Sequence, residues 1–230
     1  MLNRFKRKIK NSLRFRVLKM GDTPKDNINI PVTLNENYNY ILNLSPRVTS
    51  SHEHISLFNL SALTSGDIIE IGSYLSYSSV MMASAFSSDD RKLYAIDMFD
   101  RELGWSNGGT DDWIYKNYSQ WEFAHKVIDD CGLSNSIELL KGRSDQLINK
   151  MIELTDVNMI FIDGDHSYEG CMQDIENYSP ILNSGGFLVV DDYSDTQWSG
   201  VKKAVDEFIK INPNYIPVYF LDQMLVLKKI

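Results

Sequence analysis

Residues 161–170 read FIDGDHSYEG, and five ionisable side chains (Asp163, Asp165, His166, Tyr168, Glu169) fall within seven residues. They follow directly on an apolar run containing Val157, Met159, Ile160, Phe161 and Ile162. Carboxylates at the end of a buried strand repel one another and are costly to desolvate unless something pairs with them. Other apolar runs end in the same way: DIIEIG carries Glu70, KLYAID ends in Asp97, and FLVVDD ends in Asp191 and Asp192. Carboxylates gathered in one crevice can accept hydrogen bonds from a polyhydroxyl ligand or hold a cation. A histidine among them, here His166, can move a proton near neutral pH.

These residues need elements that bring them together. From Gly66 onward, short apolar runs alternate with helical segments. DIIEIG, KLYAID, SIELLKG, VNMIFID and FLVVDD read as strands, and YIPVYF with MLVLKK reads as a closing antiparallel pair. Leu75–Phe86, Tyr168–Leu182 and Val201–Ile211 read as helices. This alternation predicts an α/β sheet covered by helices, with ligands beyond the carboxyl ends of the strands. Upstream, residues 21–50 read as a loose connection with a short helix around Tyr38–Leu44. His52–Leu63 reads as a helix. His52 and His54 are two residues apart and should diverge, which predicts surface or capping roles rather than a metal pair. Residues 100–121 form an insertion with tryptophans, tyrosines and a flexible NGG. It is expected either to stack on a sugar or to pack on the core. Trp198 is expected to border the same mouth.

The 230 residues carry a net charge of −8, unevenly spread. Residues 1–20 hold eight basic side chains and no acid, which leaves 15 basic against 31 acidic residues in the remainder. An acidic body argues against a nucleic-acid partner. The division predicted is a basic arm and connection over 1–50 and one domain over 51–230. Leu2, Phe5, Ile9 and Leu13 recur in the arm at helical spacing. The arm would either touch an anionic membrane surface or pack on the acidic body of its own chain or of a second copy in a homo-oligomer. No apolar run is long enough to span a bilayer, and the start is unlike an export signal. Cys131 and Cys171 lie far apart and read as reduced structural thiols. Together these features point to a cytoplasmic protein, with the inner membrane face as its alternative location.

EIGSYLSYSS (Glu70–Ser79) lacks the further glycines of a dinucleotide fingerprint. It resembles motif I of class I S-adenosylmethionine (SAM) methyltransferases, and most closely that of small-molecule O-methyltransferases such as catechol O-methyltransferase. Glu70, Gly72, Tyr74 and Ser78 match that family, and Ser76 stands where it has another glycine. LYAID, KGRSDQ (Lys141–Gln146), FIDGDHSYEG and GGFLVVDDY with GVKKAVDEF continue the likeness, the last two toward macrolide-sugar and rhamnosyl O-methyltransferases. The resemblance covers about residues 66–208. It implies a Rossmann-like methyltransferase fold: a mostly parallel seven-stranded sheet with an antiparallel last strand and an N-terminal helical extension. It implies that SAM is held by Glu70, Gly72, Ser73, Tyr74, Ser78, Asp97, Met98, Gly142, Ser144, Asp145 and Asp163, with Asp97 on the ribose hydroxyls and Ser144 and Asp145 beside the adenine. It further implies Mg²⁺ at Asp163, Asp191 and Asp192, with His166 as general base and Asp163 beside it in the catalytic group. Asp165 would line the site or cap the following helix. The expected reaction is methylation of a hydroxyl on a sugar or glycosylated small molecule. The alternatives are a phenolic acceptor or a non-catalytic partner subunit of the same fold.

Overall fold

Seven strands hydrogen-bond into one sheet in the order β3-β2-β1-β4-β5-β7-β6. They are β1 (Asp67–Ile71), β2 (Leu93–Asp97), β3 (Ile137–Lys141), β4 (Val157–Ile162), β5 (Phe187–Val190), β6 (Tyr215–Leu221) and β7 (Met224–Lys229). The first five are parallel, and β7 runs antiparallel between β5 and β6. The architecture is that expected from the sequence. It comes from a computed structural model that describes residues 32–44, 51–86, 90–100, 112–221 and 223–230. The basic arm and the centre of the aromatic insertion lie outside those residues.

The strands are apolar because both faces of the sheet are covered. Ile68, Leu93, Ala95, Met159, Phe161 and Val189 join one core cluster, with Leu57 of α2 (Ser51–Ala62), Val80 of α3 (Tyr77–Ala83) and Phe123 of α5 (Gln120–Asp130). Their strand neighbours Ile69, Ile71, Ile96, Ile160, Ile162, Leu188 and Val190 join the other. That second cluster packs on α6 (Ser144–Met151), α7 (Tyr168–Tyr178) and α8 (Ser199–Ile211). This division is the period-2 alternation of a pleated strand. Helix α1 (Val32–Leu44) is longer than expected; it puts Ile41 into the first cluster, and its Asn37 donates to Ser84 Oγ at 2.9 Å. Helix α4 (Asp112–Asn117) precedes α5, whose start is fixed by a capping box between Ser119 and Glu122.

Two helix boundaries differ from expectation for local reasons. Helix α3 starts at Tyr77, because Tyr74 and Ser76 sit at φ 47° and 63° in left-handed backbone. Helix α7 gives way at Ser179 to a 3₁₀ turn containing Pro180, which has no N–H to continue the α ladder. Cys131 and Cys171 are free thiols, and burial pushes both up to about 12. Among the described residues no helix is long and apolar enough to cross a membrane. Strand β1 lies between β2 and β4, so the chain reverses its direction of travel there. Beyond the carboxyl ends of β1 and β4 lies the crevice where such sheets take ligands.

Candidate active site

A cavity of about 970 Å³ opens at those strand ends, with Gly72, Asp97, Gly142, Asp163 and Asp191 in its wall. At its centre the turn after β1 is drawn tight. Gly72 has φ 91°, and a Cβ there would overlap the backbone carbonyl of Asp163. The turn leads into Asp97. The backbone N–H groups of Tyr74 and Phe99 donate to its two carboxylate oxygens, each at 2.8 Å, and Gln120 Nε2 donates at 3.1 Å. These bonds fix the carboxylate while leaving lone pairs toward the cavity, as a reader of paired hydroxyls requires.

Glu70 does not border the cavity. It is completely buried beneath the turn, where the hydroxyls of Ser78 and Ser79 donate to its carboxyl group. Ser79 Oγ lies 2.9 Å from Ser73 Oγ, which lies 3.0 Å from Ser76 Oγ. Ser73, Ser76, Ser78 and Glu70 therefore shape the turn from behind. Burial pushes Glu70 up to about 7, against the two serine bonds. The same cause lifts Asp174, on α7, to about 6 and lowers His54, on α2, to about 4.

These displacements set a pH dependence. Between its unfolded and folded pKa a buried acid binds more protons in the native state, so stability falls as pH rises through that window. Glu70 and Asp174 both act this way between about pH 4 and 7. His54 acts oppositely, because only the unfolded chain protonates it between about 6.5 and 4. Two acids outweigh one histidine. The metal-free protein should therefore have a Tm higher by several degrees at pH 5.5 than at pH 8, measured by calorimetry in chelator. A Tm that rises steadily toward pH 8 would contradict these burials.

The acidic end of the cavity gathers most of the expected chemistry. One ligand atom each from Asp163, His166 and Asp192 lie within 4.8 Å of one another. His166 Nε2 stands 3.3 Å from Asp163 Oδ1 and 3.1 Å from Asp192 Oδ2, and its ring packs against Trp198 at 4.8 Å. The bond to Asp163 raises the imidazole's pKa, against burial. Asp191 is not in that group. Asp192 takes a left-handed φ of 55°, and its N–H donates to Asp191 Oδ1 at 2.9 Å. Burial and the charges of Asp163 and Glu53 raise Asp191 well above the usual carboxylate range. The carboxylates of Asp163 and Asp192, with Asp191 beside them, suit a divalent cation.

Two residues at this end have no counterpart in the expected set. Glu53 of α2 is 6% exposed and lines the cavity. It supplies the fourth carboxylate that Glu70 does not. Gln223, before β7, lies beside Asp195 and Asp192; with its amide oriented to donate, the nitrogen reaches Asp195 Oδ2 at 2.9 Å and Asp192 Oδ1 at 3.1 Å. The expectation of a surface or capping His54 is corrected: it is 2% exposed, and neither ring nitrogen has a hydrogen-bond partner. One turn of helix sets Glu53 above Leu57, and both side chains are buried.

The opposite end is built by the β2 and β3 termini. Met98, Gly142, Ser144 and Asp145 all border the cavity there. Ser144 opens α6. Arg143 grips Asp145 with two bonds, at 3.0 and 2.9 Å, and holds its pKa down. Asp165 accepts the N–H of Ser167 at 2.8 Å, and Ser167 caps α7, which contains Tyr168 and Glu169. Asp165 therefore supports the cap while remaining in the cavity wall. The described part of the aromatic insertion packs on the body. Tyr115 is buried and donates to Tyr74 Oη at 2.8 Å, and Trp121 meets Phe99 edge-on at 5.0 Å.

A family model described as a methyltransferase domain matches residues 69–193. The chain belongs to that family. The matched segment of this methyltransferase spans Asp97, Asp163, His166, Asp191 and Asp192, and leaves out Glu53 and Gln223. An uncharacterized protein of Acanthamoeba polyphaga mimivirus is 41% identical over 54 residues, 23% of this chain and 24% of the viral one. The matched stretch thus spans about a quarter of that relative. Among solved structures, an O-methyltransferase from Bacillus cereus in complex with S-adenosylhomocysteine (SAH) superposes with TM-score 0.63 at 17% identity, over 88% of this chain and 93% of that one. TomG, an O-methyltransferase from Streptomyces achromogenes involved in tomaymycin synthesis and solved with SAM, gives 0.59 at 16%, over 87% and 91%. An SAH-bound methyltransferase from Podospora anserina gives 0.61 at 15%, over 87% and 89%. At such identities the likeness is one of fold, and the site must speak for the chemistry.

Proposed function

We propose that this methyltransferase moves a methyl group from SAM to a hydroxyl of a sugar or glycosylated small molecule, with a divalent cation at Asp163, Asp191 and Asp192 and His166 as general base. The observation that carries the reading is the placement of His166 Nε2 between Asp163 and Asp192 at the acidic end of the cavity. The relatives solved with SAH or SAM support the choice of methyl donor.

When bound, SAM supplies a methyl group on a sulfonium, and the cation lowers the pKa of the acceptor hydroxyl. The chain's own residues do the rest. Asp97, fixed by two backbone amides, accepts from the ribose hydroxyls. Met98 and Ser144 border the adenine end. His166, in the cavity wall, takes the acceptor's proton. Asp163 and Asp192 orient the ring and stabilise the imidazolium. Trp198, 38% exposed, packs its ring against the imidazole with centroids 4.8 Å apart. Glu53, the aspartates and Gln223 make this end hydrophilic, which suits several hydroxyls better than a phenolic ring.

The test is methyl transfer from isotope-labelled SAM to a panel of sugars, glycosides and phenols. Transfer to a sugar hydroxyl should stop in chelator and return with Mg²⁺ or Mn²⁺. His166→Gln should lower kcat by about 10²–10⁴-fold and leave SAH affinity unchanged. Full turnover in excess chelator would remove the cation from the mechanism. Turnover on phenols alone would overturn the choice of acceptor.

A further inference from the structure

Asp174 is a buried carboxylate that the reaction above does not use. It is 4% exposed, yet it borders the cavity at the end away from His166. Its Oδ1 accepts the hydroxyl of Ser144 at 2.6 Å. Tyr178, one turn further along α7, donates to the carbonyl of Ser144 at 2.8 Å, so both residues of the pair are fixed to the same helix. Across from them Gly164 has no side chain. A Cβ at Gly164 would lie 3.3 Å from Asp174 Oδ2, and the glycine keeps that oxygen uncovered from its side.

The polarity of this pair is specific. The proton of Ser144 Oγ is committed to Asp174, so the serine oxygen presents lone pairs. A carboxylate has no proton to offer once ionised, and with a pKa near 6 Asp174 is ionised at neutral pH. Two acceptors therefore stand together, with the charges of Asp165 and Asp145 reinforcing the negative character of this wall. Arg143 is the cation nearby, and it is engaged by Asp145. The complementary group is a planar nitrogen bearing two protons.

We infer that Asp174 and Ser144 read the exocyclic amine of the cofactor's purine, making Asp174 a specificity residue for adenine over its deaminated counterpart. The inference rests on the proposal that SAM occupies this cavity. A 6-amino group donates to both oxygens. A 6-oxo group in its place sets an acceptor against a carboxylate, and the buried polar atoms lose their partner.

Isothermal titration of the wild-type protein with SAH and with S-inosylhomocysteine tests it directly. SAH should bind about 10–100-fold more tightly. In Asp174→Asn the amide nitrogen can turn toward a 6-oxo group, so the ratio should fall to within about 3-fold, chiefly by tighter binding of the inosine compound. Ser144→Ala should weaken SAH and leave S-inosylhomocysteine nearly unchanged, which supplies a second reading if the Asn variant folds poorly. Equal affinities in the wild type would overturn the inference while leaving the methyl donor in place. So would an Asn variant that keeps the wild-type ratio. Failure of the wild type to bind SAH at all would remove the proposed function itself.

Discussion

Asp97→Ala should weaken SAH binding by about 10²–10³-fold, the loss of two charge-assisted hydrogen bonds. The effect has two parts. The carboxylate that accepts from the ribose hydroxyls disappears, and so does the acceptor for the N–H groups of Tyr74 and Phe99. Those amides hold the turns after β1 and β2, so the cavity also loses its preorganised shape. Asp97→Asn separates the parts. Its amide oxygen can still accept one backbone bond, so it should retain more of the fold's stability than of the affinity. Titration calorimetry, with thermal unfolding alongside, reads both quantities. Unchanged SAH affinity in the alanine variant would sink the ribose assignment.

Gly72→Ala should cost more than about 4 kcal/mol, enough to leave little folded protein. Left-handed backbone at φ 91° accounts for only part of this. The larger part is steric: the added Cβ meets the Asp163 carbonyl, and Asp163 is tied to β1 by its N–H to the Ile71 carbonyl at 2.8 Å. Neither backbone can retreat without parting β1 from β4. Gly132→Ala is the control. It also has a positive φ, 69°, but a Cβ there meets nothing within 4 Å, so only about 1 kcal/mol of backbone cost should appear. Urea unfolding of the two variants side by side measures the difference. Equal midpoints would show that the close approach at Gly72 can relax.

The strands were legible because each parallel one is a short apolar run, four to six residues long, ended by a polar or glycine residue. Burial on both faces is also what hid the direction of Glu70. Ile68, Ile69, Glu70 and Ile71 are all buried, so no alternation marks which of them faces the crevice. The expected gathering of strand-end carboxylates in one crevice therefore fails at Glu70, while Glu53 of α2 lines it. A signal for Glu53 existed. Glu53, Leu57 and Leu60 recur at i, i+4 and i+7 and share the buried side of α2, which puts a carboxylate on an apolar stripe. The left-handed φ of Asp192, a non-glycine residue, has no signal in the run FLVVDD. Gln223 reaches the site only because β7 lies beside β5, a long-range pairing.

That pairing bears on how the chain comes off the ribosome. Strands are synthesised in order from β1 to β7, but β7 takes the place between β5 and β6. Until residues 224–229 emerge, the FLVV segment of β5 has β4 on one side and no permanent neighbour on the other. Strand β6, though already made, pairs with β7 and must wait for it. Until then the nascent chain carries an open, wholly apolar strand edge, the kind of surface that recruits chaperones or seeds aggregation. Strand β7 acts as a keystone. A ribosome stalled or released before it would yield a protein with nearly every named site residue present and an incomplete sheet to hold them.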